Sequence, residues 1–321
     1  PMLFFFSAGV ICLSTCLNLE RALLFKGAVS QVVEFLKLMS LWFYFYSMVN
    51  LLDRRDDLLL LLKTWLFSSG LVATLGIVGS LLFQHAGIET VFSLQFRAQG
   101  TFDDANLFAA HCGLSLMLGL LYMKLSGARW AAFFLLLHFG GILFSASRGS
   151  LIATLLALGA LGFVFAPVKA RLAVAFVLFM GVLGLLAFTD TKELLASNPI
   201  TRRLNTATVD LDDPEAQQRK GLWEVAFRTW QDNPWFGTGK GNYGMGEPGD
   251  AGTIGVAHST YLGLLAETGM LGFLAFGLAA ASLVVPSALY ALKGDLAAAT
   301  LLAGLLVIML AGVTISIENY R

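Results

Sequence analysis

Charge is scarce in this sequence. Of its 321 residues only 13% are Asp, Glu, Lys or Arg, about half the share of an average soluble chain. So few charges cannot solvate a globule of this size, which excludes a soluble enzyme, a coiled coil and a disordered chain. No excess of one sign exists either: 21 basic residues face 21 acidic ones. A chain without a basic field has no footprint for nucleic acid. Cysteine is limited to Cys12, Cys16 and Cys112. All three sit inside apolar runs and read as small core hydrophobes, with the spacing of neither a disulfide framework nor a metal site. Alternation in twos is also missing, which excludes a β-barrel.

What is abundant is apolar sequence, 57% of the chain. It comes in continuous runs close to the ~20 residues that cross a bilayer core. A hydropathy reading with a ~19-residue window predicts about nine spans. They fall near 1–17, 28–49, 58–83, 105–125, 130–146, 149–166, 171–189, 257–285 and 295–315. The expected fold is therefore an all-α polytopic membrane protein. Its parts are an N-terminal bundle over 1–189, a large polar loop over 190–256 and C-terminal spans over 257–321. The chain opens at Pro1 inside an apolar stretch and stops at Arg321 soon after another. That predicts a protein trimmed at both ends, with further spans outside it.

Orientation follows from Lys and Arg in the short loops. One alternate set of connectors holds Arg54, Arg55, Lys63, Lys124, Arg129, Lys169, Arg171 and Lys293. The other holds Arg21, Lys26, Arg97, Arg148 and Arg321. The richer set is expected in the cytoplasm, which puts loop 190–256 on the outer side. That side still carries Arg97, Arg148, Arg202, Arg203, Arg219 and Arg228. Arg148 lies in Ser147-Arg148-Gly149, a hairpin so tight that the apolar run is almost unbroken. An arginine at that depth is costly. It either snorkels to the interface or joins other outer arginines around an anion.

Within the large loop, Asp212-Asp213-Pro214-Glu215 is a helix start. Asp213 can cap, Pro214 suits the first helical position, and Glu215 favours the positive end of the dipole. Asn233-Pro234 stops the helix. At ~100° per residue, Arg219, Trp223, Ala226 and Trp230 share one face, flanked by Leu222 and Phe227. The pattern fits an amphipathic helix at the outer interface. Glu224 and Arg228 are spaced for a solvated ion pair on the opposite face. Arg219 sits on the apolar face, where it snorkels or meets an anion.

Gly237-Thr238-Gly239-Lys240-Gly241-Asn242-Tyr243-Gly244 contains a formal G-x-G-x-x-G. A dinucleotide site would need a preceding strand and a following helix. Neither is predicted, so the glycines are read as allowing a tight turn and close approach to a ligand or the next span. Asp210-Leu211-Asp212 resembles a metal-holding D-x-D, but a helix-capping acidic run accounts for it. His258 opens a span at its outer end and is one of four histidines, with His85, His111 and His138. It is either a packed residue or a base: neutral imidazole at pH 7 can take a proton from a hydroxyl. Glu34 and Lys37 can neutralise each other within a span. With His138 they keep a transporter reading open.

Several segments, in order, resemble bacterial O-antigen ligases and polymerases. Arg97-Ala98-Gln99-Gly100-Thr101-Phe102-Asp103-Asp104-Ala105-Asn106 is similar to the stretch before one of their spans. Ser147-Arg148-Gly149 is similar to their outer arginine hairpin. Arg219-Lys220-Gly221-Leu222-Trp223 and Asn233-Pro234-Trp235-Phe236-Gly237-Thr238-Gly239 resemble the arginine–tryptophan helix and Pro-x-x-Gly-x-Gly turn of their large periplasmic loop. His258-Ser259-Thr260-Tyr261-Leu262, then Glu267-Thr268-Gly269, is similar to their His-Asn-x-x-Leu and Glu-x-Gly stretch. Here Ser259 replaces the usual asparagine, and Gly221 enters a helix that usually holds better formers.

The resemblance implies an inner-membrane glycosyltransferase of C-type architecture with a periplasmic active site. The donor would be a glycan on undecaprenyl pyrophosphate. The acceptor would be a sugar hydroxyl of lipid A–core for a ligase, or of another lipid-linked repeat for a polymerase. It implies pyrophosphate binding by Arg97, Arg148 and Arg219, with Arg202 and Arg203 behind them, and His258 as base. Asn242, Tyr243 and Tyr261 would contact the acceptor or its sugar, with Trp235 stacking on sugar or lying at the interface. No cofactor and no metal are expected. Glu267, about nine residues beyond His258, would point away from it on a straight helix.

Overall fold

The computed structural model describes residues 2–20, scattered positions between 33 and 52, and residues 54–165, 214–243 and 257–315. They form helices joined by tight turns, with one two-stranded hairpin. The chain divides into two compact units. One comprises Pro1–Arg55, Asp212–Val285 and Gly312–Arg321; the other comprises Asp56–Leu211 and Pro286–Ala311.

In the second unit, α2 (Arg55–Ala86) leads into the hairpin, where β1 (Ser93–Leu94) pairs antiparallel with β2 (Arg97–Ala98). Helix α3 (Ala105–Ser126) starts at Asp104, whose carboxylate accepts from the Asn106 and Leu107 amides. It ends at Gly127, which takes the left-handed φ of 71° that suits glycine. A 3-10 turn at Arg129–Ala131 precedes α4 (Ala132–Ser145). Ala146 reverses the chain at φ 52°, and α5 (Arg148–Phe165) follows. Helix α8 (Leu296–Ala311) is capped by Asp295, which accepts from the Ala297 and Ala298 amides.

Helix α3 is the axis of this unit. Phe108 and Cys112 pack with Ile142 and Leu151; Leu116 and Met117 pack with Ala157, Ala303 and Val307. Lipid is as apolar as leucine, so close approach and interhelical hydrogen bonds hold such helices together. Trp65 Nε1 donates to Ser115 Oγ at 2.9 Å, and His138 Nε2 lies 2.8 Å from Ser69 Oγ. Cys112 is buried and unbonded to another cysteine, a small core hydrophobe as its context predicts.

The first unit contains α1 (Met2–Leu17), α6 (Pro214–Asp232) and the part of α7 (Thr260–Leu292) up to Val285. Helix α6 covers the span predicted from its start and stop signals. Its inner face is the expected one: Ala226 is buried, Arg219, Leu222, Trp223 and Trp230 are half-buried, and Phe227 is exposed. Buried Thr229 extends that face. Ala226 packs with Tyr243, Ala257 and Ala266, with Leu222 and Leu262 against them.

Among the described residues three helices are long and apolar enough to cross a membrane: Arg55–Ala86, Ala105–Ser126 and Thr260–Leu292. Four shorter apolar helices occur among the same residues, at Phe5–Leu17, Arg129–Ser145, Arg148–Val164 and Leu296–Ala311. The chain is thus an all-α membrane protein, and seven of the nine expected spans fall on helices among the described residues. Hydropathy counts apolar residues but not helix ends. The predicted span 130–146 contains a 3-10 turn and a helix of 14 residues, about 21 Å long against a hydrocarbon core of ~30 Å. The expected span 171–189 lies outside the described residues, as does much of 28–49.

Candidate functional site

Two of the expected arginines meet one corner of the second unit. Arg97 leaves β2 and is largely buried. Its Nε donates to the Ser145 carbonyl at 2.9 Å, and its Nη2 donates to Asn106 Oδ1 at 2.9 Å. Both bonds fix the orientation of the guanidinium. Ser145 is three residues before Arg148, and the turn between them is knitted together. The Ser147 amide donates to Ser145 Oγ at 3.1 Å, and Ser147 Oγ lies 3.2 Å from Ser150 Oγ. Ser150 Oγ in turn donates to the Asn106 carbonyl at 3.3 Å. The Ser147 carbonyl accepts the first helical bond of α5, from Leu151 N at 3.0 Å. Arg148 is therefore the first residue of a helix whose start is anchored to Asn106 and, through Ser145, to Arg97.

The first unit holds Arg219 and His258. Arg219 is half-buried on the inner face of α6, and no ion pair or hydrogen bond reaches its guanidinium among the described residues. Leu222, one turn on, belongs to the cluster that includes Ala257, the neighbour of His258. Each candidate group is thus a near neighbour in sequence of a member of that cluster. His258 is half-buried with φ 48°. That left-handed backbone turns the chain immediately before α7. Ser259 then caps the helix: its Oγ accepts from the Leu262 amide at 3.5 Å and its carbonyl from Gly263 N at 2.9 Å. Serine and asparagine are comparably good N-caps, so the departure at Ser259 keeps the local structure. Thr260 ties the same end down, its amide and hydroxyl donating to the Ile315 carbonyl at 2.9 and 2.8 Å.

Tyr243 and Asn242 are both buried. Tyr243 Oη donates to the Leu222 carbonyl, and Asn242 Nδ2 donates to the Thr238 carbonyl at 3.0 Å. These bonds close the loop onto itself and onto α6. Burial, and secondarily the charge of Glu267, push the Tyr243 phenol up to about 12. Tyr261 is half-buried and Trp235 is exposed. The indole N–H groups of Trp223 and Trp230 are buried and have no acceptor among the described residues. Glu224 and Arg228 are exposed and form no ion pair among the described residues, so the helical spacing does not produce the expected contact. Solvated side chains at i,i+4 gain too little to be held together.

Sequence reasoning missed the main polar feature of this unit. Lys240 Nζ lies 2.8 Å from Glu267 Oε2, with the two side chains 12% and 2% exposed. The pair was hidden because it forms where the glycine-rich loop docks beside the break in α7 at Gly269, φ 64°, ψ −169°. The glycine-rich loop meets the broken segment backbone to backbone. A Cβ on Gly237 would overlap the Glu267 backbone, and one on Gly269 would overlap the Trp235 backbone. The glycines therefore serve the predicted close approach to the next span. Arg202, Arg203, Asp210, Asp212, Asp213 and Glu34 lie outside the described residues. Among the described residues no three His, Cys, Asp or Glu side chains gather as a metal site.

Apolar helices of membrane-crossing length, with arginines and a histidine confined to their turns and ends, define an α-helical integral membrane protein. Residues 131–277 match the family model described as O-antigen ligase. The match takes in Arg148, Arg219, the loop with Lys240, His258 and Glu267, while Arg97 lies before it. It supports an enzyme of the O-antigen ligase or polymerase type. No curated protein matches the chain.

Proposed function

We propose that the protein is an O-antigen ligase of the bacterial inner membrane, acting on the periplasmic side. It transfers a glycan from undecaprenyl pyrophosphate to a sugar hydroxyl of lipid A–core, inverting the anomeric carbon. The observation that supports this reading is the match of residues 131–277 to the O-antigen ligase family model, a stretch that includes half-buried Arg219 on α6 and His258 at the start of α7.

In this reading the acceptor oxygen attacks the anomeric carbon and forms the new glycosidic bond. The bond from that carbon to the pyrophosphate breaks, and its electron pair leaves with undecaprenyl pyrophosphate. His258 takes the hydroxyl proton. Arg97, Arg148 and Arg219, with Arg202 and Arg203, stabilise the charge that grows on the leaving group. Preorganised guanidinium groups do this well in a poorly hydrated place, and they need no metal. Tyr261 and exposed Trp235 are the proposed sugar contacts, with Asn242 and Tyr243 shaping the loop beside them. The energy comes from the activated donor, so no cofactor is needed.

The lipopolysaccharide profile of a strain lacking the protein tests the reading. Lost O-chain with lipid-linked polymer accumulating is the expected result. Core bearing a single repeat would instead show a polymerase that uses the same donor. A transporter of lipid-linked glycan would need a polar path through the spans. His138, one of its three candidate residues, is fully buried and bonded to Ser69.

A further inference from the structure

Helix α7 is broken in a way that leaves four backbone groups without helical partners. In a continuous helix the Met270 amide would bond the Ala266 carbonyl, and the Leu271 amide the Glu267 carbonyl. At Gly269 both bonds are lost. The loop that follows α6 replaces them. Thr238 N donates to the Ala266 carbonyl at 3.1 Å, and Gly239 N to the Glu267 carbonyl at 2.8 Å. Met270 N donates to the Pro234 carbonyl at 2.8 Å, and Leu271 N to the Trp235 carbonyl at 3.2 Å. All four groups are satisfied, as a spanning segment requires. The end of α1 adds further bonds. Ser14 Oγ donates to the Phe236 and Glu267 carbonyls, and Asn18 Nδ2 donates to the Gly237 carbonyl.

Backbone bonds of this kind do not select a register by themselves, because every residue offers the same groups. Side chains must do it. Glu267 presents its carbonyl to Gly239 and its carboxylate to Lys240, the next residue of the loop. A slip by one position would strand a buried carboxylate and a buried ammonium. Separating such a pair is far more costly than forming it is favourable. Specifying a register is the best-attested use of buried ionic groups.

The half-helix that begins after Gly269 is not an anion site, since the Met270 and Leu271 amides are already bonded to the loop. The Lys240 charge is likewise matched by Glu267. We propose that Lys240 and Glu267 are a positioning pair: they register the Pro234–Tyr243 loop on the broken helix and thereby set the His258 segment for glycan transfer. The route to His258 is short. The loop ends at Tyr243, which packs in one cluster with Ala257 and Ala266. The transfer arm of this inference rests on the ligase reading; the register arm does not.

The test compares full-length protein in lipid nanodiscs with Glu267→Gln, Lys240→Met and the doubly neutral Lys240→Met/Glu267→Leu. Amide exchange of peptides containing Thr238, Gly239, Met270 and Leu271 reads the register. Transfer from undecaprenyl-pyrophosphate glycan to lipid A–core reads the chemistry. Each single variant is expected to speed exchange on the order of a hundredfold, the scale set by one uncompensated buried charge. It should also lower kcat with little change in donor KM. The doubly neutral variant should restore both readouts. Native exchange in Glu267→Gln would overturn the proposal. So would a double variant with native exchange and no transfer, since the pair would then take part in the reaction. If the unaltered protein transfers no glycan, the ligase reading fails while the exchange pattern still decides the register claim.

Discussion

Gly237 and Gly269 pack reciprocally: a Cβ on either would collide with the peptide just before the other. Gly237 lies against the Glu267–Thr268 peptide, and Gly269 lies against the Trp235–Phe236 peptide. Both have positive φ, 65° and 64°. Alanine at either position meets a steric and a conformational penalty together, about 2–4 kcal/mol. Gly221 is the opposite case: it is exposed, helical, and has nothing within 4 Å of an added Cβ. Gly221→Ala should stabilise by about 0.5–1 kcal/mol. Thermal unfolding in detergent ranks the three variants. A Gly269→Ala protein as stable as the native one would remove the close-approach argument.

Ser259 should tolerate asparagine and not alanine. Its Oγ caps α7, and loss of such a cap costs about 1 kcal/mol. Ser259→Asn is expected to keep native stability and transfer, whereas Ser259→Ala lowers the melting temperature. Equal melting temperatures for the two would show that the cap carries no weight.

Arg97 should resist replacement by lysine. Its fork reaches the Ser145 carbonyl and Asn106 Oδ1 at once. An ammonium on a flexible stem does not reproduce that two-point contact. Arg97→Lys is expected to cost about 1–3 kcal/mol, with loosened exchange at the Ser145–Arg148 turn. A turn as protected as in the native protein would show that charge alone, not the fork, is what Arg97 supplies.

Alkali should loosen the loop through Tyr243. Burial holds its phenol neutral up to about 12, above the ordinary value of 10. A raised folded pKa means that the stabilisation is fully present below pH 10 and is lost as pH rises through 12. Tyrosinate absorbance followed against pH should show a late-titrating group that Tyr243→Phe removes. An unchanged titration curve in that variant would contradict the assignment.

Much of this molecule was readable from its residues. Seven of the predicted spans coincide with helices, and Asp212–Glu215 with Asn233-Pro234 bracketed α6 because caps and proline act locally. The inner face of that helix followed from its period. What stayed hidden depends on distant backbone. No local signal shows that Gly269 breaks α7, since glycines recur throughout apolar runs. Hence the docking of the glycine-rich loop beside that break, and with it the union of Glu267 with Lys240, went unseen. Asn106 was likewise noted only within a motif, because its hold on Arg97 requires β2 and α3 to meet.

The most direct measurement is glycan transfer by purified His258→Ala protein, alongside its binding of the lipid-linked donor. The account predicts native insertion and donor binding with turnover reduced by roughly 10²–10⁴, the usual contribution of a positioned base. Transfer at the native rate would contradict it.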